Sequence, residues 1–104
     1  TNSDHAHGEQ VQEQLGFRLA GWLCAEEVRV YKPSAEFWRI VGARFGTAPG
    51  PRWMHVSAYD DYDLDTAREL GLTTVFVSRP HFRRGPADLL VPDLQALADR
   101  LLAT

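Results

Sequence analysis

The amino-acid sequence predicts an α/β fold with a mostly parallel sheet. Two short apolar runs, Trp53–Ser57 and Thr73–Val77, have the β-branched composition of buried strands. Between them, apolar residues recur at helical spacing until Gly71, where a helix is expected to end. A strand that is joined to the next strand through a helix forms a βαβ unit with two parallel strands. Short strands and helices alternate over the whole chain, which supports the α/β class.

The first part of the chain is predicted to begin with a helix. Residues 1–4 offer several good N-caps, and the helix that follows them should end at Gly16. The apolar stretch Phe17–Cys24 is predicted as a strand or a packed connection, and Arg29–Tyr31 alternates like an extended segment. Lys32 precedes Pro33, whose ring favours extended geometry in the preceding residue.

Three further elements complete the predicted order. A helix that is capped by Ser34 should carry its apolar residues on one face and end at Gly46. After the βαβ unit, Leu89–Val91 is predicted as an edge strand, and Pro92 and Asp93 open the last helix. No internal repeat and no domain boundary is visible, so we expect a single domain portion over residues 1–104.

Composition excludes several classes of function. The net charge of −3 argues against a nucleic-acid binder, because phosphate affinity depends on clustered Lys and Arg. The basic residues Arg79, Arg83 and Arg84 are predicted as a solvated loop, with an anion contact as the alternative. A single cysteine, Cys24, allows no internal disulfide, which favours a reducing compartment. No apolar run approaches a membrane span, so we expect a cytoplasmic protein with neither membrane nor nucleic-acid partners.

The site hypothesis starts from the acidic turn that follows the Trp53–Ser57 strand. In parallel sheets, ligands gather beyond the carboxyl ends of the strands, which is where Ser57 and the turn fall. Asp60 or Asp61 is predicted to cap the helix, but the turn and the first helical residues hold more carboxylates than one cap requires. These carboxylates are Asp60, Asp61, Asp63 and Asp65.

Three polar signals in this order resemble the motifs of the haloacid dehalogenase-like (HAD) hydrolase superfamily. Thr1-Asn2 is similar to its second motif, and EEVRVYKPSAEFW, with Lys32, is similar to its third. HVSAYDDYDLDTARELGL, with Asp63 in the acidic position, is similar to the fourth motif. The following TTVFVSRP looks like the next strand of the haloacid dehalogenase branch. The resemblance implies a Rossmann-like three-layer sandwich with a mostly parallel sheet.

The resemblance also implies roles for these residues. The family uses an Asp nucleophile that forms a covalent intermediate with a small anionic substrate, either a 2-haloacid or a phosphate ester. Lys32 would neutralise the repulsion between the two anions, and Thr1 and Asn2 would bind substrate oxygens. Asp63 would fix Lys32 or help to bind a metal, and Ser57 would contact the substrate.

The sequence departs from the family pattern at two points, and both change what we expect of this chain. The motif with the nucleophilic Asp is absent, so we expect these residues to be a C-terminal portion that lacks activity alone. A missing N-terminal half, a second chain or self-association would complete the central sheet. In addition, Ala58 and Tyr59 stand where Mg²⁺-dependent members carry another Asp. This favours the metal-free branch, with Mg²⁺ at Asp60 and Asp63 as the alternative.

Other interpretations are kept as alternatives. The chain could be a non-catalytic interaction module that pairs its uncovered sheet with a partner, or Thr1 could be an N-terminal nucleophile. His5 and His7 are two positions apart and make a poor metal pair on a helix. His55 is predicted as a packing or surface residue, and Cys24 as an inert buried thiol.

Overall fold

The computed structural model describes residues 1–79 and 86–103, which fall into two units. The first unit is Thr1–Ala48, and the second begins at Pro49. His81, Arg83 and Arg84 lie outside the described residues. The predicted solvated loop and the alternative anion contact at these arginines therefore stay predictions. Within the described ranges, no helix has both the length and the apolar character that a membrane span requires.

The first unit opens with the predicted helix, α1, at His5–Leu15. The carboxylate of Asp4 accepts a hydrogen bond from the His7 backbone N–H at 2.7 Å, which satisfies one of the free donors at the helix start. Gly16 follows the helix with φ of 71°, a left-handed conformation that favours glycine. The cap and the stop predicted from the sequence are therefore confirmed.

The extended segment that we predicted at Arg29–Tyr31 is wrong at Arg29. Ala25–Val28 forms a short helix, α2, and Arg29 ends it in the left-handed region with φ of 57°. Two backbone hydrogen bonds hold the start of α2, from the Ala25 N–H to the Thr1 carbonyl at 2.8 Å and from the Glu26 N–H to the carbonyl of Ser3. These partners are distant in sequence, so no local sequence pattern predicts the helix.

The third helix, α3, spans Ala35–Phe45 and ends at Gly46, as the sequence predicts. Phe37 and Trp38 are buried, whereas Phe45 remains 48% exposed although it shares their apolar pattern. Ser34 precedes the helix without donating or accepting a side-chain capping bond. The apolar face of this helix is thus buried in its first half.

The second unit contains a parallel sheet of three strands in the order β1, β2, β3. The strands are β1 at Met54–Ser57, β2 at Thr73–Val77 and β3 at Leu89–Val91. Both strand pairs are parallel, as the βαβ pattern predicts. The carboxyl ends of all three strands therefore lie along one edge of the sheet.

The core of this unit lies against the last helix, α5, at Leu94–Leu102. Its buried cluster joins Val75 and Val77 of β2, Val91 of β3 and Leu97 of α5. Val56 of β1 packs against the same cluster, so this residue faces the core. Because side chains alternate along a strand, the residues on either side of Val56 face the opposite side of β1.

The acidic turn after β1 is wider than an α-helical turn. Asp60–Leu64 forms a π-helical turn, closed by a hydrogen bond from the Leu64 N–H to the Tyr59 carbonyl at 3.2 Å. Helix α4 continues it at Asp65–Glu69. The predicted capping by Asp60 or Asp61 is wrong, because Tyr59 occupies the cap position and its side chain makes no capping bond.

Candidate functional site

The Asp63 carboxylate is the centre of the polar network in the second unit. Asp63 is 5% exposed, although a carboxylate is seldom buried without partners. The Ser57 hydroxyl donates to Asp63 Oδ2 at 2.8 Å, and His55 Nε2 lies 2.8 Å from Asp63 Oδ1. Each carboxylate oxygen thus has a side-chain partner of its own.

The alternation of side chains along strand β1 brings His55 and Ser57 to the same carboxylate. His55 and Ser57 are two residues apart and share the face opposite Val56. The Ser57 Oγ also accepts a hydrogen bond from the Tyr59 backbone N–H at 3.0 Å, which ties the strand end to the acidic turn. The network therefore joins the end of β1 to the π-helical turn that carries Asp63.

His55 is a partner of Asp63 that our sequence interpretation did not include. We predicted packing or surface exposure, whereas its imidazole lies against the buried Asp63 carboxylate. The available signal was the two-residue spacing between His55 and Ser57, which places both side chains on one face of a strand.

Asp60 differs from Asp63 in its environment. Its Oδ1 atom is buried and has no hydrogen-bond partner among the described residues. Burial raises the pKa of Asp60, and the negative charges of Asp65 and Asp61 raise it further, whereas Arg68 lowers it. The protonated form of Asp60 is therefore favoured relative to an ordinary aspartate.

The acidic turn offers Mg²⁺ a poor set of ligands from this chain. Mg²⁺ prefers octahedral oxygen coordination by ionised carboxylates and water. Both Asp63 oxygens have hydrogen-bonded partners, and the Asp60 carboxyl has a raised pKa. In the part of the chain that the structure describes, the turn forms no group of three carboxylates close enough to share a metal ion. Mg²⁺ binding at Asp60 and Asp63 stays a prediction.

The first unit brings Asn2 and Lys32 together. Asn2 Oδ1 accepts from the Lys32 backbone N–H at 2.7 Å, and Asn2 Nδ2 donates to the Lys32 carbonyl at 3.0 Å. The side-chain amide therefore pairs with both backbone polar groups of one residue, 30 positions along the chain. Lys32 itself lies in a turn before α3 and not on the extended arm that we predicted.

Thr1 is also held by backbone hydrogen bonds. Its amino group donates to the Leu23 carbonyl at 2.7 Å, and its carbonyl accepts from the Ala25 N–H. These bonds place the backbone of the second-motif residues beside the start of α2. The alternative of a Thr1 nucleophile stays a prediction.

The predicted site residues thus form two pairs, Asn2 with Lys32 in the first unit and Ser57 with Asp63 in the second. The chain forms part of a haloacid dehalogenase-like fold, as the sequence resemblance predicted.

A solved structure supports this class. The chain is similar to the L-2-haloacid dehalogenase PA0810, with a TM-score of 0.83 and 28% sequence identity. The similarity covers 97% of this chain and 47% of the dehalogenase, so the chain spans about half the length of that protein. No protein-family model matches the sequence, and no curated protein matches it. The structural comparison therefore carries the assignment of the fold.

Proposed function

We propose that this chain supplies the Thr/Asn, Lys and Asp motifs of a HAD-like hydrolase that acts on small anionic substrates. The observation that carries the proposal is the buried Asp63 carboxylate, which is held by Ser57 and His55. A carboxylate with a hydrogen-bond partner on each oxygen keeps its charge in a fixed position, as an electrostatic site requires. The likeness to an L-2-haloacid dehalogenase supports 2-haloacids as the substrate class.

In the proposed site, Lys32 counters the negative charges of substrate and nucleophile. Two unit charges 4 Å apart repel by about 4 kcal/mol at an effective dielectric constant near 20, which is enough to slow a reaction by about a thousandfold. An ammonium group next to both anions removes this barrier. The paired hydrogen bonds from Asn2 hold the backbone from which the Lys32 side chain extends.

These bonds change the role that we assign to Asn2. The resemblance implied contact with the substrate, but both polar atoms of the Asn2 amide already engage the Lys32 backbone. We therefore assign Asn2 as a positioning residue for Lys32. Thr1 is retained as the substrate-binding residue of this motif. Ser57 Oγ already donates to Asp63 and accepts from the Tyr59 N–H, so we assign Ser57, by the same reasoning, as a positioning residue for Asp63.

The proposed reaction needs an Asp nucleophile from outside the motifs of this chain. That carboxylate attacks the carbon that bears the halogen, and the halide leaves with the bonding electron pair. Water then hydrolyses the resulting ester, which releases a 2-hydroxyacid and regenerates the carboxylate. Since Asp63 belongs to the fourth motif, it does not take this part, and we expect residues 1–104 alone to be inactive.

Dehalogenation is favoured over phosphate ester hydrolysis by the acidic turn. Phosphatases of this kind use Mg²⁺, whereas both oxygens of the Asp63 carboxylate already have hydrogen-bond partners in this chain. Ala58 and Tyr59 supply no carboxylate in compensation. The substitution of a carbon–halogen bond needs no divalent ion to bind the leaving group.

The test is an assay of the protein expressed from the complete reading frame that encodes these residues. Substrates are a panel of 2-haloacids and a panel of phosphate esters, each with added Mg²⁺ and with a chelator. We expect halide release that the chelator leaves unchanged. Phosphate ester hydrolysis that requires Mg²⁺, without halide release, would overturn the dehalogenase assignment but keep the hydrolase class.

A second candidate function, an interaction module, is favoured by the apolar surface of the first unit. Four large apolar residues are at least 40% exposed, and we call them the α1 surface: Val11, Leu15, Phe17 and Leu19. A cavity of about 230 Å³ lies beside them, lined in part by Trp22. Exposed apolar clusters mark interaction surfaces more often than isolated apolar residues do.

Light scattering on the 104-residue chain tests this candidate. Self-association that the substitution Leu15→Ser abolishes would support an interaction role for the α1 surface. The exposed, polar position Gln10 provides the control, Gln10→Ser. The interaction role would be contradicted if the chain stays monomeric at all accessible concentrations and does not bind the other half of a HAD-like fold.

A further inference from the structure

Three side chains of types that bind metals lie close together in the first unit, and none of them has a role in the proposed function. His5 is the first residue of α1, Cys24 precedes α2, and Glu27 lies within α2. One ligand atom from each residue lies within 4.8 Å of the other two. We propose that His5, Cys24 and Glu27 form a Zn²⁺ site, which is independent of the proposed hydrolase function.

Gly8 allows helix α1 to pass close to Cys24. A Cβ atom at this position would stand 2.4 Å from a ring carbon of Trp22 and 2.7 Å from Cys24 Sγ. Only a residue without a side chain allows this separation, since real Cβ contacts are longer. Helix α1 is thereby held close enough to Cys24 for His5, one turn before Gly8, to reach the thiol region.

The His5 imidazole is oriented like that of a metal ligand. Its ring stacks on Trp22 with a centroid separation of 5.1 Å. Nε2 lies 3.1 Å from Glu9 Oε1, and Nδ1 lies 3.5 Å from Glu27 Oε1. Metal-bound histidines commonly donate the second ring N–H to a carboxylate, which fixes the ring and its tautomer. Glu9 is in the position to accept that bond, which leaves Nδ1 directed toward the proposed metal position.

Cys24 provides the thiol that distinguishes this group from a surface ion-pair network. The residue is fully buried, and the Ser3 hydroxyl donates to its sulfur at 3.8 Å. The thiol therefore has a single defined environment. The structure confirms the predicted burial of the Cys24 thiol. The imidazole and the carboxylate near it were not predicted from the sequence.

The ligand types select Zn²⁺ over Mg²⁺. Sulfur and imidazole nitrogen are preferred ligands of Zn²⁺, whereas Mg²⁺ prefers oxygen. In a tetrahedral Zn²⁺ site with bonds of about 2.0–2.3 Å, ligand atoms are about 3.3–3.8 Å apart. The group is wider than this, within 4.8 Å, so metal binding requires side-chain rotation of the exposed His5 and Glu27 toward Cys24. Three protein ligands leave the fourth position to water.

One charged group competes with the metal for Glu27. Arg44 Nη1 lies 4.0 Å from Glu27 Oε2, at the limit of an ion pair, and the two side chains are substantially exposed. Exposed ion pairs of this length contribute little to stability. The other carboxylate oxygen of Glu27, Oε1, is the one that faces His5.

The experiment is a Co²⁺ titration of the protein from the complete reading frame under reducing conditions, followed by displacement with Zn²⁺, with the Cys24→Ala variant titrated in parallel. Co²⁺ reports on the ligands, because thiolate coordination gives a sulfur-to-cobalt charge-transfer band in the near ultraviolet. We expect one Co²⁺ per chain, the charge-transfer band, and loss of both spectra when Zn²⁺ is added. Absence of the band at saturating Co²⁺ overturns the proposal.

Variants assign the ligands. Cys24→Ala should remove the charge-transfer band, and His5→Ala and Glu27→Gln should each weaken binding about a hundredfold or more. His5 and Glu27 are exposed, so the variants at these positions should fold. They still test the site if Cys24→Ala fails to fold. His7→Ala and Glu26→Gln are the matched controls. Equal losses in Glu26→Gln and Glu27→Gln would overturn the site.

Discussion

The side chain of Asn2 and the backbone of Lys32 are joined by two hydrogen bonds, of 2.7 and 3.0 Å, across 30 positions of sequence. This pairing fixes the backbone of the only lysine in the chain relative to the second-motif residues. It gives a physical reason for the co-occurrence of Thr1-Asn2 and Lys32 in one resemblance.

Replacement of Asn2 by Ala should lower both stability and activity. Loss of the two bonds should reduce the free energy of unfolding by about 1 kcal/mol, since the groups are exposed and water replaces part of the interaction. In the protein from the complete reading frame, the turnover number should fall because Lys32 is less well placed. Urea unfolding and steady-state kinetics measure the two effects. Gln10→Ala, at an exposed position of α1, is the control, and equal losses in both variants would contradict the positioning role.

His55 and Asp63 should be energetically coupled. His55→Ala leaves the buried Asp63 carboxylate without this hydrogen bond, and Asp63→Ala leaves the partly buried His55 imidazole without it, at a cost of about 1–3 kcal/mol for a buried group. The double variant should lose less than the sum of the two, with a coupling energy of about 1–2 kcal/mol. Chemical denaturation of the four proteins gives this value. Additive losses would show that the 2.8 Å contact contributes nothing.

Asp60→Asn should stabilise the chain at neutral pH. Because the pKa of Asp60 is raised in the folded state, the fold favours its protonated form. That contribution is fully present below the unfolded pKa and is lost as the pH rises through the folded pKa. The neutral amide avoids this loss, so the variant should melt higher than the wild type at pH 7, with no difference near pH 3. Melting curves across this range, with Asp99→Asn as the charge-matched control, measure it. A constant difference at all pH values would contradict the assignment.

Gly8→Ala should destabilise the first unit. The added methyl group would overlap the Trp22 ring and Cys24 Sγ, and overpacking of this kind costs about 1–3 kcal/mol. Gly50→Ala is the matched control, because nothing lies within 4 Å of a Cβ atom there. Thermal unfolding of both variants measures the effect. Equal melting temperatures would contradict the close approach of α1 to Cys24.

Elements with strong periodicity were predictable from the sequence. Strand β2 matches the predicted run Thr73–Val77 residue for residue, and α5 begins after Asp93, whose carboxylate caps it at Ala96. Each of these elements is determined by its own sequence: alternating or helical apolar spacing, a cap and a stop. The same holds for α1 and α3.

Elements that depend on distant partners were not predictable. Helix α2 is held by the carbonyls of Thr1 and Ser3, and no residue within Ala25–Val28 indicates them. The π-helical turn at Asp60–Leu64 depends on one backbone bond with a five-residue spacing, for which the sequence has no distinct signal. The role of His55 and the convergence of His5 on Cys24 likewise require tertiary structure.

The most direct test of the hydrolase assignment is halide release from 2-haloacids by the Lys32→Ala variant of the protein from the complete reading frame. We predict a loss of at least about a hundredfold in kcat/KM, the magnitude expected when one preorganised charge is removed from a site. Arg39→Ala, an exposed cation on α3, should leave the rate unchanged. Full activity in Lys32→Ala, or an equal loss in Arg39→Ala, would contradict the account.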